Sequence, residues 1–210
     1  MSDDAAVAHL STADPVLGAL IERLAPTLPP LELRRHRRPE DYYAGLVRTI
    51  VGQQLSTRAA NAIWLRVLDF FAGELPTPEA ILDADPDALR AAGGLSRAKT
   101  GYLRSLAEHV TSGALELERL EQLDDETVLA ELVAVKGLGE WSAHMFLMFQ
   151  LGRPDILAPG DLGIRKGIQI VYELDEMPKP AEVIARAEPW RPYRTIACHY
   201  IWGAIDVKPV

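Results

Sequence analysis

The sequence from Leu132 to Ala143 reads Leu-Val-Ala-Val-Lys-Gly-Leu-Gly-Glu-Trp-Ser-Ala and is typical of two helices joined by a tight turn. Two glycines on either side of one leucine let the backbone turn sharply and approach another group closely. The helix that follows begins with N–H groups that have no partner inside the helix, and such groups attract an anion. Further along the chain, Pro159-Gly160-Asp161 places a carboxylate on a loop. The segment therefore indicates phosphate binding and chemistry on nucleic acid, although glycines at a helix corner also occur in many other helical proteins.

The composition is that of an ordinary globular chain, and its net negative charge is unfavourable for binding a polyanion. The 210 residues, 48% of them hydrophobic and 25% charged, are enough for one large core or two small lobes. The net charge of −8 indicates that any nucleic acid is held through few phosphate contacts. The basic run Arg34–Arg38 is one candidate contact and equally well a solvated linker. Arg97 and Lys99, at a predicted helix start, are further candidates.

A single cysteine, Cys198, excludes an internal disulfide and a four-cysteine metal or iron–sulfur site. The five histidines lack metal-ligand spacing. The residues before Ala13 lack the pattern of a secretory signal, and no segment reaches the ~20 apolar residues of a membrane span. We expect a cytoplasmic protein and, because nothing indicates an obligate oligomer, a monomer.

Helical periodicity dominates the remainder of the sequence and predicts an all-α fold of about ten helices. Short helical pieces are expected between Pro76 and Pro86, and the only hint of strand lies near Glu32 and Leu33. Helix starts are predicted where a capping side chain precedes the apolar period, at Asp14, Ser56, Ser96, Asp124 or Asp125, and Asp161.

Three separated motifs resemble one known family. Val135–Ala143 with Asp161 resembles the signature of the helix–hairpin–helix (HhH-GPD) DNA glycosylase superfamily, in which a Gly/Pro-rich loop leads to an aspartate. Ile50–Ser56 resembles the Gln-Gln segment of its alkylation-repair branch, and Trp190–Arg194 with Trp202 resembles the C-terminal segment of that branch. The resemblance covers most of the chain and is greatest to the 3-methyladenine DNA glycosylase II type.

The resemblance implies two helical lobes around a cleft. Residues 50–158 would form the lobe that carries the helix–hairpin–helix, and residues 1–49 with 159–210 would form the other. Some relatives have an extra N-terminal α/β domain, for which the sequence before Tyr42 is too short.

The same resemblance implies base excision repair of double-stranded DNA with damaged bases. An alkylated purine, such as 3-methyladenine or 7-methylguanine, would be flipped out of the duplex, and hydrolysis of its N-glycosidic bond would leave an abasic site. Asp161 would be the catalytic carboxylate that stabilises the positive charge on the sugar. A helix N-cap is its alternative role, and the two roles are compatible. Two other functions stay open, removal of oxidised or mismatched bases and non-catalytic DNA binding.

Trp141 separates two branches of the superfamily. Bifunctional members carry at this position a lysine that attacks the sugar as a Schiff-base nucleophile, which tryptophan cannot do. The resemblance therefore implies a monofunctional hydrolase without lyase activity. The residues implied in the base pocket are Trp141, Met145, Trp202 and Tyr193, whereas Trp190 fits packing better. Met145 departs from the family pattern, which has an aromatic residue there, so a more open pocket is expected.

The resemblance also assigns contacts to DNA. The amides of Gly137 and Gly139 would hold a backbone phosphate. Gln53, Gln54 and Leu55 fall between two predicted helices and would supply the side chain that fills the gap left by the flipped base. Gln54 matches the wedge position of the family, and Leu55 is the alternative.

No cofactor is required by this chemistry, but a structural cation is implied. In the family the carbonyls of the hairpin hold a monovalent ion, and the matching carbonyls here are those of Val133, Val135 and Leu138. Na⁺ or K⁺ at this place would add positive charge that the net charge of −8 does not supply.

Overall fold

The structure is a computed structural model that describes residues 3–28, 31 and 39–206. Every regular element in these ranges is helical, so the predicted all-α class is confirmed. None of the helices described is long and apolar enough to cross a membrane. The α-helices are α1 (Asp3–Ala13), α2 (Pro15–Leu24), α3 (Pro39–Gly52), α4 (Thr57–Phe70), α5 (Pro78–Asp83), α6 (Pro86–Gly93), α7 (Arg97–Thr111), α8 (Asp125–Val133), α9 (Glu140–Phe149), α10 (Leu162–Val171), α11 (Pro180–Ala187) and α12 (Arg194–Asp206). Two 3₁₀ helices span Leu117–Gln122 and Glu188–Trp190.

Local capping chemistry marks the predicted helix starts. As the sequence predicts, a side chain accepts a backbone N–H from the first turn of the following helix at Asp14, Ser56, Ser96, Asp124 and Asp161. Helix α1 is not predicted, because its apolar residues are not concentrated on one face. The hint of strand near Glu32 and Leu33 and the basic run Arg34–Arg38 lie outside the described residues.

Contacts divide the chain into two compact units. The terminal unit takes Met1–Arg34 and Gly152–Val210, and the hairpin unit takes Arg35–Leu151. The boundaries thus lie elsewhere than at residues 49/50 and 158/159, where the sequence places them. Helix α3 packs against α4, α7 and α9 and for this reason belongs to the hairpin unit. The loop that follows residue 151 bonds to the start of α12 through Thr195 and therefore belongs to the terminal unit.

In the hairpin unit, α3 supplies a continuous buried face. Tyr42, Leu46, Val47 and Ile50 are all at most 1% exposed. The Tyr42 ring meets the Phe146 ring of α9 edge-on, with 5.7 Å between the centroids. Tyr42 lies near the start of α3 and Phe146 near the end of α9. At the other end of α3, the Gln53 side chain bonds to the Gly137 carbonyl, so the turn that leaves α3 and the hairpin that enters α9 are neighbours.

In the terminal unit, α10 and α12 pack at close range because α10 has glycines at two positions that face α12. A Cβ at Gly167 would overlap the carbonyl oxygen of Ile201 on α12. One turn earlier, a Cβ at Gly163 would lie 2.8 Å from the Trp202 ring. The two glycines therefore set the distance between the helix that follows Asp161 and the helix that carries Trp202.

Asp14 ties the start of α2 to the C-terminal part of the terminal unit. Its Oδ2 accepts a hydrogen bond from the Tyr172 hydroxyl at 2.5 Å and another from Trp190 Nε1 at 2.8 Å. Burial alone would raise the pKa of Asp14, but these bonds and those from the amides of Leu17 and Val16 outweigh it and lower the pKa below 3.8. Trp190 is fully buried, which confirms that it is a packing residue.

Candidate functional site

The hairpin of the hairpin unit joins α8, which ends at Val133, to α9, which begins at Glu140. Gly139 is the N-cap of α9 in an extended conformation, and among the described residues no side chain caps this helix. Helices α7 and α8, by contrast, are each capped by a side chain. A Cβ at Gly139 would meet nothing within 4 Å. The start of α9 is thus open to an approaching anion, as the sequence predicts for this turn.

Gly137 is required by the backbone and by its neighbour. Its φ is +96°, which L side chains rarely adopt, and a Cβ there would overlap the ring of Tyr102 on α7. The Tyr102 side chain therefore packs directly against the hairpin backbone at Gly137 and supports it. The sequence gives no sign of this contact, because nothing in the pattern of α7 indicates which helix faces the turn.

The two glutamines in the turn after α3 have different environments. The Gln53 side chain is partly buried, and its Nε2 donates to the Gly137 carbonyl at 2.7 Å and to Ser142 Oγ at 3.4 Å. Gln54 is exposed and has a φ of +58°, in the left-handed region that few non-glycine residues occupy. Leu55 beside it is 39% exposed. Of the three residues in this turn that are expected to contact DNA, Gln53 faces the hairpin, while Gln54 and Leu55 form the exposed tip.

Lys99 lies beside this turn. Its Nζ donates to the carbonyls of Val51 and Gln53, each at 2.8 Å. Burial lowers the pKa of the Lys99 ammonium from its ordinary value. A surface cavity of about 420 Å³ is lined by the Gln53–Gln54 turn, the first turn of α7 and the hairpin. The ammonium of Lys99 is therefore engaged by backbone carbonyls, whereas the sequence suggests only a phosphate contact.

Two residues expected in the base pocket lie on α9. Trp141 is 40% exposed although it is a large aromatic side chain. Met145 is partly buried one helical turn later, so the two residues share a face of α9. Between them, Ser142 is buried and bonds to Gln53. An exposed tryptophan in the first turn of an open helix end is a surface on which a flat ring can stack.

The hairpin carbonyls implied as cation ligands differ in the backbone hydrogen bonds that they accept. The Val135 carbonyl accepts the Leu138 N–H at 3.0 Å. The carbonyls of Val133 and Leu138 accept no backbone hydrogen bond in the part of the chain that the structure describes. Carbonyl oxygens suit hard cations, and groups without a backbone partner at a turn are the ones such an ion satisfies. Two of the three carbonyls that the family resemblance assigns to a monovalent ion are thus without a backbone hydrogen bond in the described residues.

In the terminal unit, Asp161 has two donors on one oxygen. Oδ1 accepts the Ile164 N–H at 2.8 Å, which makes Asp161 the N-cap of α10. The same Oδ1 accepts Trp202 Nε1 at 2.9 Å. Trp202, expected only as an aromatic wall, is thus also a hydrogen-bond donor to the predicted catalytic carboxylate. Gly163 allows this approach, since a Cβ there would lie 2.9 Å from Trp202 Nε1 and 3.0 Å from Asp161 Oδ1.

The loop that leads to Asp161 is anchored by the start of α12. Arg194 binds the Asp155 carboxylate through Nε at 2.7 Å and donates to the Asp155 carbonyl at 2.6 Å. The buried Thr195 hydroxyl donates to the Arg153 carbonyl at 2.7 Å and accepts the Ile156 N–H at 2.9 Å. Arg194 belongs to a motif noted in the sequence, but its partner Asp155 carries no local signal and was missed.

The other side chains of this unit are engaged in packing. The Tyr193 ring meets His9 of α1 edge-on at 5.4 Å between centroids, so at least one edge of this expected pocket residue packs inside the unit. Cys198 is fully buried, and burial raises the pKa of its thiol to about 12. A thiol in this state does not act as a nucleophile at neutral pH.

Comparison with known proteins gives one consistent result. Residues 47–192 match the profile of HhH-GPD superfamily base excision DNA repair proteins. DNA-3-methyladenine glycosylase 1 of Schizosaccharomyces pombe is 35% identical over 196 residues, which cover 92% of this chain and 84% of that protein. The structure of the 3-methyladenine DNA glycosylase Mag1 of the same yeast, in complex with abasic DNA, is similar with a TM-score of 0.87 and 34% identity over 97% of both chains. A DNA-3-methyladenine glycosidase from Bacillus halodurans is similar with a TM-score of 0.78 and 38% identity, covering 95% of this chain and 88% of that one.

Proposed function

Because the chain belongs to the HhH-GPD superfamily of base excision DNA repair proteins, we propose that it is a monofunctional DNA glycosylase that removes alkylated purines from double-stranded DNA. The observation that carries the proposal is the carboxylate of Asp161, held by Ile164 and Trp202 at the end of an anchored loop. Relatives that align along nearly the whole chain are named for 3-methyladenine. The substrates we propose are 3-methyladenine and 7-methylguanine.

Asp161 would act through the charge of its carboxylate. When the bond between C1′ of the sugar and the base nitrogen breaks, the base leaves with the electron pair and the sugar becomes positively charged. An alkylated purine is itself cationic and leaves as a neutral base, so no acid is needed to protonate it. The carboxylate of Asp161 stabilises the sugar cation, and it accepts a proton from the water whose oxygen then bonds to C1′. The products are a free base and an abasic site.

Two donors on Oδ1 give Asp161 a fixed orientation before the substrate arrives. The Ile164 amide holds the carboxylate at the start of α10. The Trp202 indole adds a second constraint on the same atom. Such preorganisation lets the carboxylate act on the developing charge without first rotating into place.

The absence of a lyase step follows from Trp141. Strand cleavage by the bifunctional relatives needs an amine that forms a Schiff base with the sugar, and an indole has no such nucleophile. The exposed Trp141 and the half-buried Met145 would instead contact the flipped base. An aromatic face attracts the positive charge of an alkylated base, which gives preference for damaged over neutral purines. In the terminal unit, Trp202 and Tyr193 are the residues that the family resemblance assigns to the flipped base.

The hairpin would hold the DNA backbone at the lesion. The amides at the start of α9, around Gly137 and Gly139, would bind one phosphate. Gln54, or Leu55 beside it, would enter the gap left by the flipped base. A Na⁺ or K⁺ ion held by the carbonyls of Val133, Val135 and Leu138 would supply positive charge next to that phosphate, so that a protein of net charge −8 can bind DNA through few contacts. We propose a monomer that acts in the cytoplasm or in whichever compartment holds the DNA.

The test is release of bases from methylated duplex DNA. Free 3-methyladenine and 7-methylguanine are measured by chromatography, and strand breaks are measured before and after alkali treatment. The proposal predicts both bases in solution and breaks only after alkali. Breaks without alkali would contradict the monofunctional mechanism. Tight binding to abasic DNA without release of any base would instead support a non-catalytic binder, and release of oxidised or mismatched bases alone would support the other branch.

A further inference from the structure

The turn between α3 and α4 needs an external partner to keep its shape. Helix α3 ends at Gly52, and its last carbonyls have no acceptor role inside the helix. Those of Ile50 and Gly52 accept N–H groups of the turn itself, from Gln53 at 3.3 Å and from Leu55 at 3.2 Å. The carbonyls of Val51 and Gln53, which alternate with these two along the chain, instead accept hydrogen bonds from a side chain of another helix.

That partner is Lys99 of α7. Its Nζ lies 2.8 Å from both the Val51 and the Gln53 carbonyl oxygens. A cation at the C-terminal end of a helix also interacts favourably with the helix dipole. Hydrogen bonds from a charged donor are stronger than neutral ones, the more so because this ammonium is partly buried. Lys99 therefore restrains both the end of α3 and the turn after it.

This restraint by Lys99 acts on the residues proposed to contact the DNA. The Gln53 carbonyl belongs to the same peptide unit as the Gln54 N–H, so the bond from Lys99 fixes the backbone that leads into Gln54. That residue has a φ of +58°, a conformation that is unfavourable for a residue with a Cβ and persists only when the surroundings impose it. From the same turn, the Gln53 side chain donates to the Gly137 carbonyl at 2.7 Å.

We propose, on the basis of the proposed glycosylase function, that Lys99 is a positioning residue for base excision. It holds the Gln53–Gln54 peptide so that Gln54 is already in place to fill the gap in the duplex. Through Gln53 it also couples this turn to the hairpin that would bind the phosphate, so both DNA contacts are set at once. Its ammonium donates to the backbone carbonyls of the turn.

The experiment measures single-turnover release of 3-methyladenine or 7-methylguanine from a methylated duplex with enzyme in saturating excess. Lys99→Met keeps the length of the side chain but removes the donors, and we expect a roughly tenfold to thirtyfold lower rate, because small displacements of positioning groups cost this much or more. Lys136→Met is the matched control, since it removes an equal charge from an exposed lysine one residue before Gly137. Lys99→Arg, which keeps a cationic donor, should lie closer to the wild type than Lys99→Met does.

A double-mutant cycle distinguishes positioning from a general loss of structure. If Lys99 acts through Gln54, then Lys99→Met should lower the rate less than about threefold in a Gln54→Ala background, because the group to be positioned is gone. Multiplicative effects of the two changes, or a Lys136→Met rate as low as that of Lys99→Met, would overturn the inference. So would wild-type rates for Lys99→Met. Each of these outcomes leaves the proposed function standing, which fails only if the wild-type protein releases no base.

Discussion

Substituting each hairpin glycine with alanine separates what the fold requires from what DNA binding requires. Gly137 has a φ of +96°, and alanine in that region is disfavoured by about 1–2 kcal/mol. Its Cβ would also overlap the Tyr102 ring, and relieving such overpacking costs about 1–3 kcal/mol. Gly137→Ala should therefore reduce the free energy of unfolding by roughly 2–5 kcal/mol and the melting temperature by roughly 5–15 °C.

Gly139→Ala is the matched control two residues away. Its φ of −108° suits any residue, and a Cβ there would meet nothing within 4 Å. We expect a loss of less than about 1 kcal/mol in stability, as for other changes between glycine and alanine at a helix N-cap. The new methyl group would nevertheless stand where a DNA phosphate approaches the amides of α9. Affinity for a duplex with an abasic site should fall roughly tenfold, the effect of one weakened charge-assisted contact.

The measurements are thermal unfolding followed by circular dichroism and DNA binding followed by fluorescence anisotropy. The two variants should show opposite profiles, with Gly137→Ala impaired chiefly in stability and Gly139→Ala chiefly in affinity. An unchanged melting temperature for Gly137→Ala would refute the role of Tyr102 as a support. Unchanged affinity for Gly139→Ala would refute close approach of a phosphate to this hairpin.

Three further predictions concern single positions. Gln54→Gly removes the cost of a positive φ, so it should raise the free energy of unfolding by about 1 kcal/mol in denaturant titrations while slowing base release, and a destabilised variant would contradict this. The carboxylate of Asp14, whose pKa is lowered below 3.8 in the fold, contributes stability that is complete above pH 3.8 and is lost as the pH falls through the lower folded value. Unfolding free energies of the wild type and Asp14→Asn, which keeps the N-cap, should therefore differ near neutral pH and converge in acid, and a constant difference would count against the charged contact. Gly163→Ala should displace Trp202 from Asp161 and lower the single-turnover rate of base release, while a rate equal to that of the wild type would show that this contact does not matter.

Much of the fold could be predicted because helix starts are a local property. A capping side chain acts on an amide two or three residues later, so Asp14, Ser56 and Ser96 could be assigned from neighbouring residues alone. The hairpin was equally accessible, since glycines at a turn and an apolar period on either side are local signals. Helix α1 could not be predicted because its apolar residues are not concentrated on one face, and its burial comes from packing against α2 and the 3₁₀ helix Glu188–Trp190.

The contacts that organise the candidate site could not be predicted in this way. Trp202 and Asp161 are 41 positions apart, and Gln53 and Gly137 are 84 apart. Only the packing of whole helices determines such pairs, and no period or spacing encodes them. The family resemblance implies roles for Asp161 and Trp202, but only the structure shows the hydrogen bond between them. The role of Lys99 is of the same kind, because its target is backbone that carries no residue-specific signal.

Asp161 is proposed to catalyse base release in addition to capping α10. Asparagine is as good an N-cap as aspartate, and its side-chain oxygen can accept the same bonds from Ile164 and Trp202. The most direct test is the single-turnover rate of 3-methyladenine release by Asp161→Asn, measured beside its thermal unfolding. We expect a melting temperature close to that of the wild type and a rate lower by roughly a hundredfold or more, the loss expected when a charge-stabilising group is removed. A rate near that of the wild type, with the fold intact, would show that Asp161 only caps α10 and does not catalyse base release.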